Sequence, residues 1–347
     1  MKKPLLTLLL VICSVLFLGG CGSKVTINVF NWGEYMDESL LDAFEERTGI
    51  AVNYKYYETN EVLLSRLEAG GSNYDLVFPS DYAISEMIKK DMLEKLDFSN
   101  IPNYKYIDEK VKNMEYDPNN EYSVPYFWGT IGILYNKNLV DDPVESWDIL
   151  WDEKYEGKVI MKKDVRDSMG VALKKLGYSM NSTDDAQLLE AQNLLLQQKV
   201  LGYYGDEIKE MIANGDAAMG VTYSGDPMDL YWDEADFSYV DYAIPKEGTN
   251  VWFDAMVIPK GAKHKKEAEM FINFMLDPDI AFQNSQEVGY TSPNTEAIRM
   301  MREENPEIFE MDAYWPSEEV LEKSDVYIDL GEYKTIYNDI WTKIRVE

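Results

Sequence analysis

The sequence contains very little histidine and cysteine: one His and two Cys among 347 residues. A metal site or catalytic triad that needs several histidines is therefore excluded, because His264 stands alone. Two cysteines are too few for a disulfide scaffold. Basic residues are also scarce, with 33 Lys and Arg against 63 Asp and Glu. The formal net charge of −30 is opposite in sign to the surface that nucleic-acid phosphates require, which argues against a nucleic-acid partner.

Apolar and aromatic residues, in contrast, are abundant. The chain has 25 Tyr, 12 Phe and 8 Trp, and 46% of its residues are hydrophobic. This composition supplies enough core to argue against intrinsic disorder. The length suggests about two domains. We therefore expect an acidic, aromatic-rich globular protein.

The first 20 residues have the pattern of an export signal. A short basic start, Met1-Lys2-Lys3, precedes an apolar run from residue 5 to 18. This run is shorter than the roughly 20 residues that a membrane-spanning helix needs. It ends in Leu18-Gly19-Gly20-Cys21, which resembles a bacterial lipobox. We predict a lipoprotein signal peptide over residues 1–20 and lipid attachment to Cys21; the alternative is an ordinary secretory signal with a chance cysteine.

Lipid attachment determines the predicted location and redox chemistry. A diacyl anchor would hold the mature protein at the extracytoplasmic face of the cell membrane, on the periplasmic side if the cell has an outer membrane. Cys13 would be removed with the signal peptide, and Cys21 would be modified. The mature chain would then form no disulfide.

The segment that follows alternates between strand-like and helix-like stretches. The predicted strands are rich in alternating or β-branched apolar residues and lie at 25–30, 50–57 and 76–78. One helix is predicted over 37–47 with a stop at Thr48-Gly49, and another from Asn60 as its cap to Gly70-Gly71. This order predicts parallel pairing with right-handed crossovers.

A second group of segments has the same character. Its predicted strands lie at 158–161, 217–223 and 251–259, and its predicted helices lie at 171–176, 186–198 and 265–276. The chain closes with a helical apolar stripe from Ile336 to Ile344, which we expect to pack in the core. Because no low-complexity linker separates the two groups, we predict two α/β lobes that share crossovers.

Aromatic and acidic side chains gather where these strands end. Ligands of open α/β sheets bind beyond the carboxyl ends of the strands. The candidates there are rings, carboxylates and small polar groups, with almost no positive charge: Trp32, Glu34, Tyr35, Ser80, Tyr82, Asp164, Asp167, Tyr223, Trp252 and Asp254. Aromatic faces attract cations, and carboxylates bind ammonium groups. We expect an elongated organic cation as the ligand; neutral sugars, which also stack on rings, are the alternative.

Several of these residues also have a purely structural interpretation. Trp32 and Tyr35 could anchor a loop, and Asp164 could cap a helix. Asp164 and Asp167, three residues apart, would repel each other on one helical face unless a cation lay between them. Asp254 is harder to explain by structure alone, because a carboxylate inside an apolar strand needs a partner.

The chain resembles the spermidine/putrescine-binding proteins of bacterial polyamine ABC transporters over essentially all of its mature length. Six segments in matching order carry the resemblance: FNWGEY at 30–35, YDLVFPS at 74–80, YSVPYFWG at 122–129, KLGYS at 175–179, WFD at 252–254 and GYTSPN at 289–294. The resemblance implies a two-lobed periplasmic-binding-protein fold of type II, an α/β fold in which each lobe is a mostly parallel sheet flanked by helices, with a hinge. The first lobe is expected to comprise 24–133 and 252–302, and the second 134–251 and 303–347.

The resemblance also implies a set of polyamine-binding residues. By position these are Trp32, Tyr35, Ser80 and Tyr82 on the first lobe, the acidic pair Asp164 and Asp167 on the second, Asp254 for an ammonium end, and Trp252 and Tyr290 as aromatic walls. The second acid of the pair is often Glu in the family. Tyr223 stands where tryptophan is common, Tyr327 stands where a family member has Gln, and Glu34 is an additional candidate.

The implied function is capture without chemistry. The lobes would close over a polyamine about the hinge, and the loaded protein would dock on the membrane permease of an ABC transporter. No catalytic residue, cofactor or metal is expected, and the protein is expected to be a monomer. The alternatives are a hydrolase with paired carboxylates, or a sugar- or calcium-binding relative, although no run matches an EF-hand loop. The residues leave the choice between spermidine and putrescine open.

Overall fold

The computed structural model describes residues 24–70, 73–205, 207–233 and 236–346. The predicted signal peptide and its lipid-modified Cys21 lie outside these ranges. Within them, every helix is too short or too polar to span a lipid bilayer.

The described residues form nine strands and twelve α-helices. The strands are β1 Thr26–Trp32, β2 Ala51–Tyr57, β3 Leu76–Val77, β4 Ser123–Asn136, β5 Val159–Lys162, β6 Gly202–Tyr204, β7 Met219–Tyr223, β8 Val240–Ala243 and β9 Val251–Val257. The helices are α1 Ser39–Thr48, α2 Asn60–Glu68, α3 Asp81–Lys89, α4 Val165–Lys175, α5 Asp185–Gln197, α6 Ile208–Ala213, α7 Gly225–Trp232, α8 Lys265–Met275, α9 Pro278–Val288, α10 Thr295–Glu304, α11 Glu318–Glu322 and α12 Tyr333–Val346.

Strand β4 joins two groups of strands. Its residues 123–130 pair with β9, and its residues 131–136 pair with β7 and β8. The partner changes between Thr130 and Ile131. We call β2-β1-β3-β9 with the first half of β4 the first sheet, and the second half of β4 with β8, β7, β5 and β6 the second sheet. One continuous strand therefore connects the two sheets.

The strand directions are mixed. The predicted parallel pairing of β1 with β2 and β3 is confirmed, and β5 is parallel to β6 and β7. All pairs that involve β4 or β9 are antiparallel, which differs from the expected mostly parallel sheets. No pattern in the sequence predicts β4. Since β4 and β9 are adjacent strands in which the chain leaves the first sheet and returns to it, they run in opposite directions.

Both faces of each sheet are buried. In the first sheet, Ile27 packs in a cluster with Phe44 of α1 and Phe271 of α8, whereas Phe30 faces the opposite side with Leu63 of α2. This is the alternation expected of a strand covered on both faces. The second sheet repeats the arrangement through neighbouring β4 residues that belong to different clusters. Each sheet is therefore covered by packed side chains on both of its faces.

Several element boundaries differ from their predicted positions. The helix predicted at 171–176 begins at Val165. The cap of α2 is Thr59 rather than Asn60: the Thr59 hydroxyl accepts a hydrogen bond from the backbone N–H of Val62, and Thr59 has the extended backbone that a cap requires. Asn60 lies in the first helical turn and is free to bond elsewhere. The terminal stripe forms α12, whose buried face includes Tyr337, as predicted.

Candidate functional site

Asp254 is a buried carboxylate in the middle of β9, with 6% of its surface exposed. The Tyr35 hydroxyl donates a hydrogen bond of 2.8 Å to its Oδ2. Its Oδ1 is buried and accepts no well-formed hydrogen bond from the described residues. Burial raises the pKa of Asp254 to about 6, although the Ser80 and Tyr35 hydroxyls oppose that rise. Asp254 is thus largely ionised at neutral pH and has one oxygen available for a donor.

The end of β3 holds Ser80 beside Asp254. The two residues form an isolated antiparallel bridge. The side-chain amide of Asn60, at the start of α2, donates to the hydroxyl oxygens of Ser80 and Tyr82, each at 3.0 Å. Ser80 and Tyr82 are therefore positioned by Asn60, which the sequence pattern predicts only as a helix cap.

A second buried carboxylate, Asp167, lies in the first turn of α4, next to the second sheet. The Tyr223 hydroxyl donates to its Oδ2 at 2.8 Å, and the Tyr327 hydroxyl lies 3.3 Å from its Oδ1. Burial raises the pKa of Asp167, and the charge of Asp164 raises it further. Asp164 occupies the N-cap position of α4, but its side chain makes no capping hydrogen bond. Helix capping therefore does not account for Asp164.

Four aromatic rings connect the surroundings of the two buried carboxylates. Tyr223 contacts Trp252 with ring centroids 6.3 Å apart, and Trp252 contacts Tyr290 at 4.8 Å. Tyr290 in turn contacts Tyr35 at 5.6 Å. We call these four residues the aromatic arc. Its terminal tyrosines hold Asp167 and Asp254 respectively, so the arc runs from one carboxylate to the other.

The remaining candidates of the first lobe differ in burial: Trp32 and Tyr82 are half-buried, and Glu34 is exposed. Trp32 is half-buried, and its indole N–H donates to the Phe78 carbonyl at 2.8 Å. Tyr82 is half-buried next to Ser80. Glu34 is exposed on a left-handed backbone (φ 51°), and no hydrogen bond in the described part of the chain joins it to the other candidates. The structure does not bring Glu34 into the cluster.

Tyr327 lies behind Asp167. It is buried, and its hydroxyl donates to the backbone carbonyl of Arg166 at 3.0 Å. The Arg166 guanidinium lies 4.3 Å from the Tyr327 ring centroid and 5.6 Å from that of Tyr82. Tyr327 therefore supports Asp167 and Arg166 from the segment that precedes α12.

The predicted near-absence of positive charge is wrong. Lys162, the last residue of β5, is 1% exposed, and its ammonium lies 3.9 Å from the centroid of the Tyr223 ring. Arg166 is also part of the cluster. Lys162 is not among the predicted site residues. The signal that could have revealed it is a lysine at the end of an otherwise apolar strand.

Asp81 is a third buried carboxyl that the sequence analysis did not single out. It accepts hydrogen bonds from the backbone N–H groups of Tyr82 at 2.7 Å and Phe253 at 3.2 Å. Complete burial raises its pKa to about 8. Asp81 thereby ties the start of α3 to the strand that carries Asp254.

Ion pairs join the two sheets' helices beside the site. Lys334 of α12 pairs with Glu86 of α3, and Lys89 of α3 pairs with Asp329 at 3.0 Å. Asp329 also pairs with Lys334 at 3.1 Å. We call these four residues the rim pairs. They connect α3, which packs on β9, to the segment around α12, which packs on α4.

Several known proteins are similar to this chain in sequence or in structure. The family model for bacterial extracellular solute-binding proteins matches residues 39–313. The spermidine/putrescine-binding periplasmic protein of Escherichia coli K12 is 34% identical over 333 residues, covering 92% of this chain and 91% of that protein. The spermidine/putrescine ABC transporter substrate-binding protein PotD of Streptococcus pneumoniae has a similar structure, with a TM-score of 0.82, 36% identity, and 93% and 99% coverage. The Tp0655 (TpPotD) lipoprotein of Treponema pallidum gives a TM-score of 0.84, 31% identity, and 93% and 100% coverage.

Proposed function

The chain belongs to the bacterial extracellular solute-binding proteins, and we propose that it captures putrescine or spermidine outside the cytoplasm and delivers it to the permease of an ABC transporter. The family is one of transport proteins rather than enzymes. The relatives named for spermidine and putrescine binding support this ligand class.

One observation carries the ligand assignment: the aromatic arc ends at a buried carboxylate on each side. A polyamine has ammonium groups at its ends and methylene chains between them. Carboxylates form charge-assisted hydrogen bonds with ammonium groups, and ring faces cover methylenes and attract cations by about 0.5–2 kcal/mol per contact. Asp254 Oδ1 is a buried acceptor without a well-formed hydrogen bond from the described residues, whereas Oδ2 accepts one from Tyr35. An ammonium group supplies both the charge and the hydrogen.

The second end of the ligand is assigned to Asp164 and Asp167. Asp167 is held from behind by Tyr223 and Tyr327, which orients its carboxylate. Bridging from Asp254 on the first sheet to this pair on the second would join the two lobes, so binding favours closure. The proposed lobes keep the boundaries 24–133 with 252–302 and 134–251 with 303–347. The change of β4 partners after Thr130 supports a boundary near residue 133.

The remaining parts of the proposal concern anchoring, assembly and catalysis. We assign the membrane anchor to a diacyl group on Cys21 after removal of residues 1–20, and we assign no enzymatic activity to the monomer. Mass spectrometry of the mature protein tests the anchor. An acylated Cys21 at the amino terminus supports it, and an unmodified amino terminus beyond Cys21 contradicts it.

Isothermal titration calorimetry of the mature chain tests the ligand. Putrescine, spermidine and glucose are titrated separately at pH 7.5. Saturable heat at 1:1 stoichiometry with either amine, and none with glucose, is the expected result. Heat with glucose alone would instead favour the sugar-binding alternative, and no heat with either amine would reject the proposal.

A further inference from the structure

Lys162 is a buried cation inside a site that the proposed function assigns to cations. Its side chain leaves the end of β5 and is almost completely removed from solvent. Its ammonium lies over the Tyr223 ring at 3.9 Å from the centroid, near the strong end of the cation–π range. Tyr223 is also the ring that holds Asp167. One ring therefore connects an internal ammonium and a proposed ligand carboxylate.

Burial of an ammonium group is costly unless nearby groups compensate its charge. Lys162 takes part in no ion pair within 4 Å among the described residues, whereas its neighbour Lys163 is exposed. The structure offers three sources of compensation, which are the Tyr223 ring and the charges of Asp167 and Glu207. The same interaction is visible from the carboxylate, because the charge of Lys162 lowers the pKa of Asp167 against the rise caused by burial and Asp164.

The other cation of the cluster is engaged differently. Arg166 donates from Nη1 to the Ile328 carbonyl at 3.0 Å and from Nη2 to Asn181 Oδ1 at 2.7 Å. Its role in packing against Tyr327 accounts for its position. Lys162 has no comparable set of acceptors among the described residues, and its ammonium lies against Tyr223, the ring that holds Asp167 at one end of the aromatic arc.

We propose, on the basis of the proposed function, that Lys162 is a specificity-determining residue that offsets part of the negative charge of Asp164 and Asp167 and so disfavours ligands with additional charged nitrogens. A diamine needs one ammonium at each end of the arc. A triamine or tetraamine brings a further positive charge into the same low-dielectric cleft, where repulsion from Lys162 is strong. The chain therefore selects putrescine over longer polyamines more strongly than its carboxylates alone would.

The test compares Lys162→Met with the matched control Lys163→Met, which removes the same charge from the adjacent exposed position. Calorimetry gives the dissociation constants of putrescine, spermidine and spermine for both variants and the wild type. We expect Lys162→Met to raise the affinity for spermidine about tenfold more than that for putrescine, and to favour spermine further. Lys163→Met should leave the ratio within about twofold, as expected for a screened surface charge.

The outcomes separate this proposal from the proposed function. If the wild type binds no polyamine, the proposed function fails. If the wild type binds but Lys162→Met leaves the spermidine-to-putrescine ratio unchanged, or lowers all affinities equally, the selectivity role is overturned and the proposed function stands. Lys162→Gln serves as a second neutral variant. If circular dichroism shows that both neutral variants unfold while Lys163→Met folds, Lys162 has a structural role and the proposal is rejected.

Discussion

The Tyr35 hydroxyl holds Oδ2 of Asp254 at 2.8 Å and leaves Oδ1 without a well-formed hydrogen bond from the described residues. These two residues are 219 positions apart, and the contact forms because β9 returns to the first sheet beside β3. The hydroxyl fixes the direction of the carboxylate and stabilises its charge. One oxygen is thereby oriented and the other remains available to an ammonium group.

Replacement of Asp254 by Asn should stabilise the ligand-free protein while it removes binding. Burial has raised the pKa of this carboxyl from 3.8 to about 6, which means that the ionised form costs about 2–3 kcal/mol at neutral pH. Asn is neutral, has the same shape and still accepts from Tyr35. We expect urea unfolding at pH 7.5 to show a gain of about 1–3 kcal/mol, with polyamine affinity reduced at least about 100-fold.

Asp75→Asn is the matched control for this prediction. Asp75 is another buried carboxylate of the first sheet, but it accepts from the backbone N–H groups of Asn28, Lys263 and His264 at 2.9–3.0 Å. An amide group would place N–H against N–H there, so we expect a loss of about 1–3 kcal/mol. Equal destabilisation by both variants would show that the Asp254 carboxylate is structural.

Polyamine affinity should fall as the pH falls through about 6. The ligand ammonium groups stay charged, whereas Asp254, with a pKa of about 6, becomes protonated and must lose that proton to bind. Between pH 7.5 and pH 5 this group alone should weaken binding by about tenfold, and the raised pKa of Asp167 adds to the effect. Calorimetry at half-unit pH intervals measures the profile.

Unfolding would not explain such a loss of affinity, because stability and binding change in opposite directions with pH. A carboxyl whose pKa is higher in the folded protein contributes stability at low pH and loses it as the pH rises through the folded value. Asp254 and Asp167 therefore make the ligand-free protein more stable at pH 5 than at pH 7, while binding changes in the opposite direction. Thermal melting at both pH values is the control. An affinity that is constant from pH 7.5 to 5 would contradict ionised carboxylates as ligand contacts.

Two glycines allow the aromatic arc to lie against the backbone. A Cβ on Gly225 would stand 2.4 Å from Cζ of Tyr290, and a Cβ on Gly129 would stand 2.5 Å from Cζ2 of Trp252. Gly225→Ala or Gly129→Ala should displace the ring and reduce affinity by about tenfold, with a stability loss of about 1–3 kcal/mol. Gly33→Ala, where the new Cβ meets no atom within 4 Å, is the control. Unchanged polyamine affinity in both Gly225→Ala and Gly129→Ala would show that the Tyr290 and Trp252 rings do not contact the ligand.

Loss of a rim pair should weaken polyamine binding, although the residues of the pair do not contact the ligand in this proposal. Glu86 on α3 pairs with Lys334 on α12, and these elements pack on different sheets. Glu86→Gln removes about 0.2–1 kcal/mol of interaction between the lobes, so we expect dissociation about 1.4-fold to fivefold faster in stopped-flow fluorescence. Glu121→Gln breaks the exposed pair with Lys95 within the first lobe and should change nothing. Equal dissociation rates for both variants and the wild type would show that the rim pairs do not contribute to closure.

The sequence predicted the first sheet better than the connection between the sheets. β1, β2 and β3 with their helices have local signals, since alternation and helical stops lie within short windows. β4 has no such signal: it is apolar on both faces and contains Pro125 and Gly129. Its pairing with β7, β8 and β9 is decided by residues far along the chain, which periodicity does not reveal.

A site residue could be predicted from the sequence where its polarity differs from that of the neighbouring residues in its own segment. Asp254 stood out as a carboxylate within an apolar strand, and its burial and hydrogen bond to Tyr35 agree with that expectation. Lys162 and Asp81 lie at strand and helix ends, where charged residues are ordinarily solvated. Their burial results from tertiary packing around the cleft, so the composition of their own segments does not show it.

We propose that one polyamine bridges Asp254 and Asp167 across the aromatic arc. Calorimetric titration of the wild type and of Asp167→Asn with putrescine and with butylamine, which lacks the second ammonium, tests it most directly. We expect putrescine to bind the wild type at least about 100-fold more tightly than butylamine, and Asp167→Asn to remove most of this advantage. Equal affinity of the two amines for the wild type, or an advantage of putrescine that survives in Asp167→Asn, would contradict it.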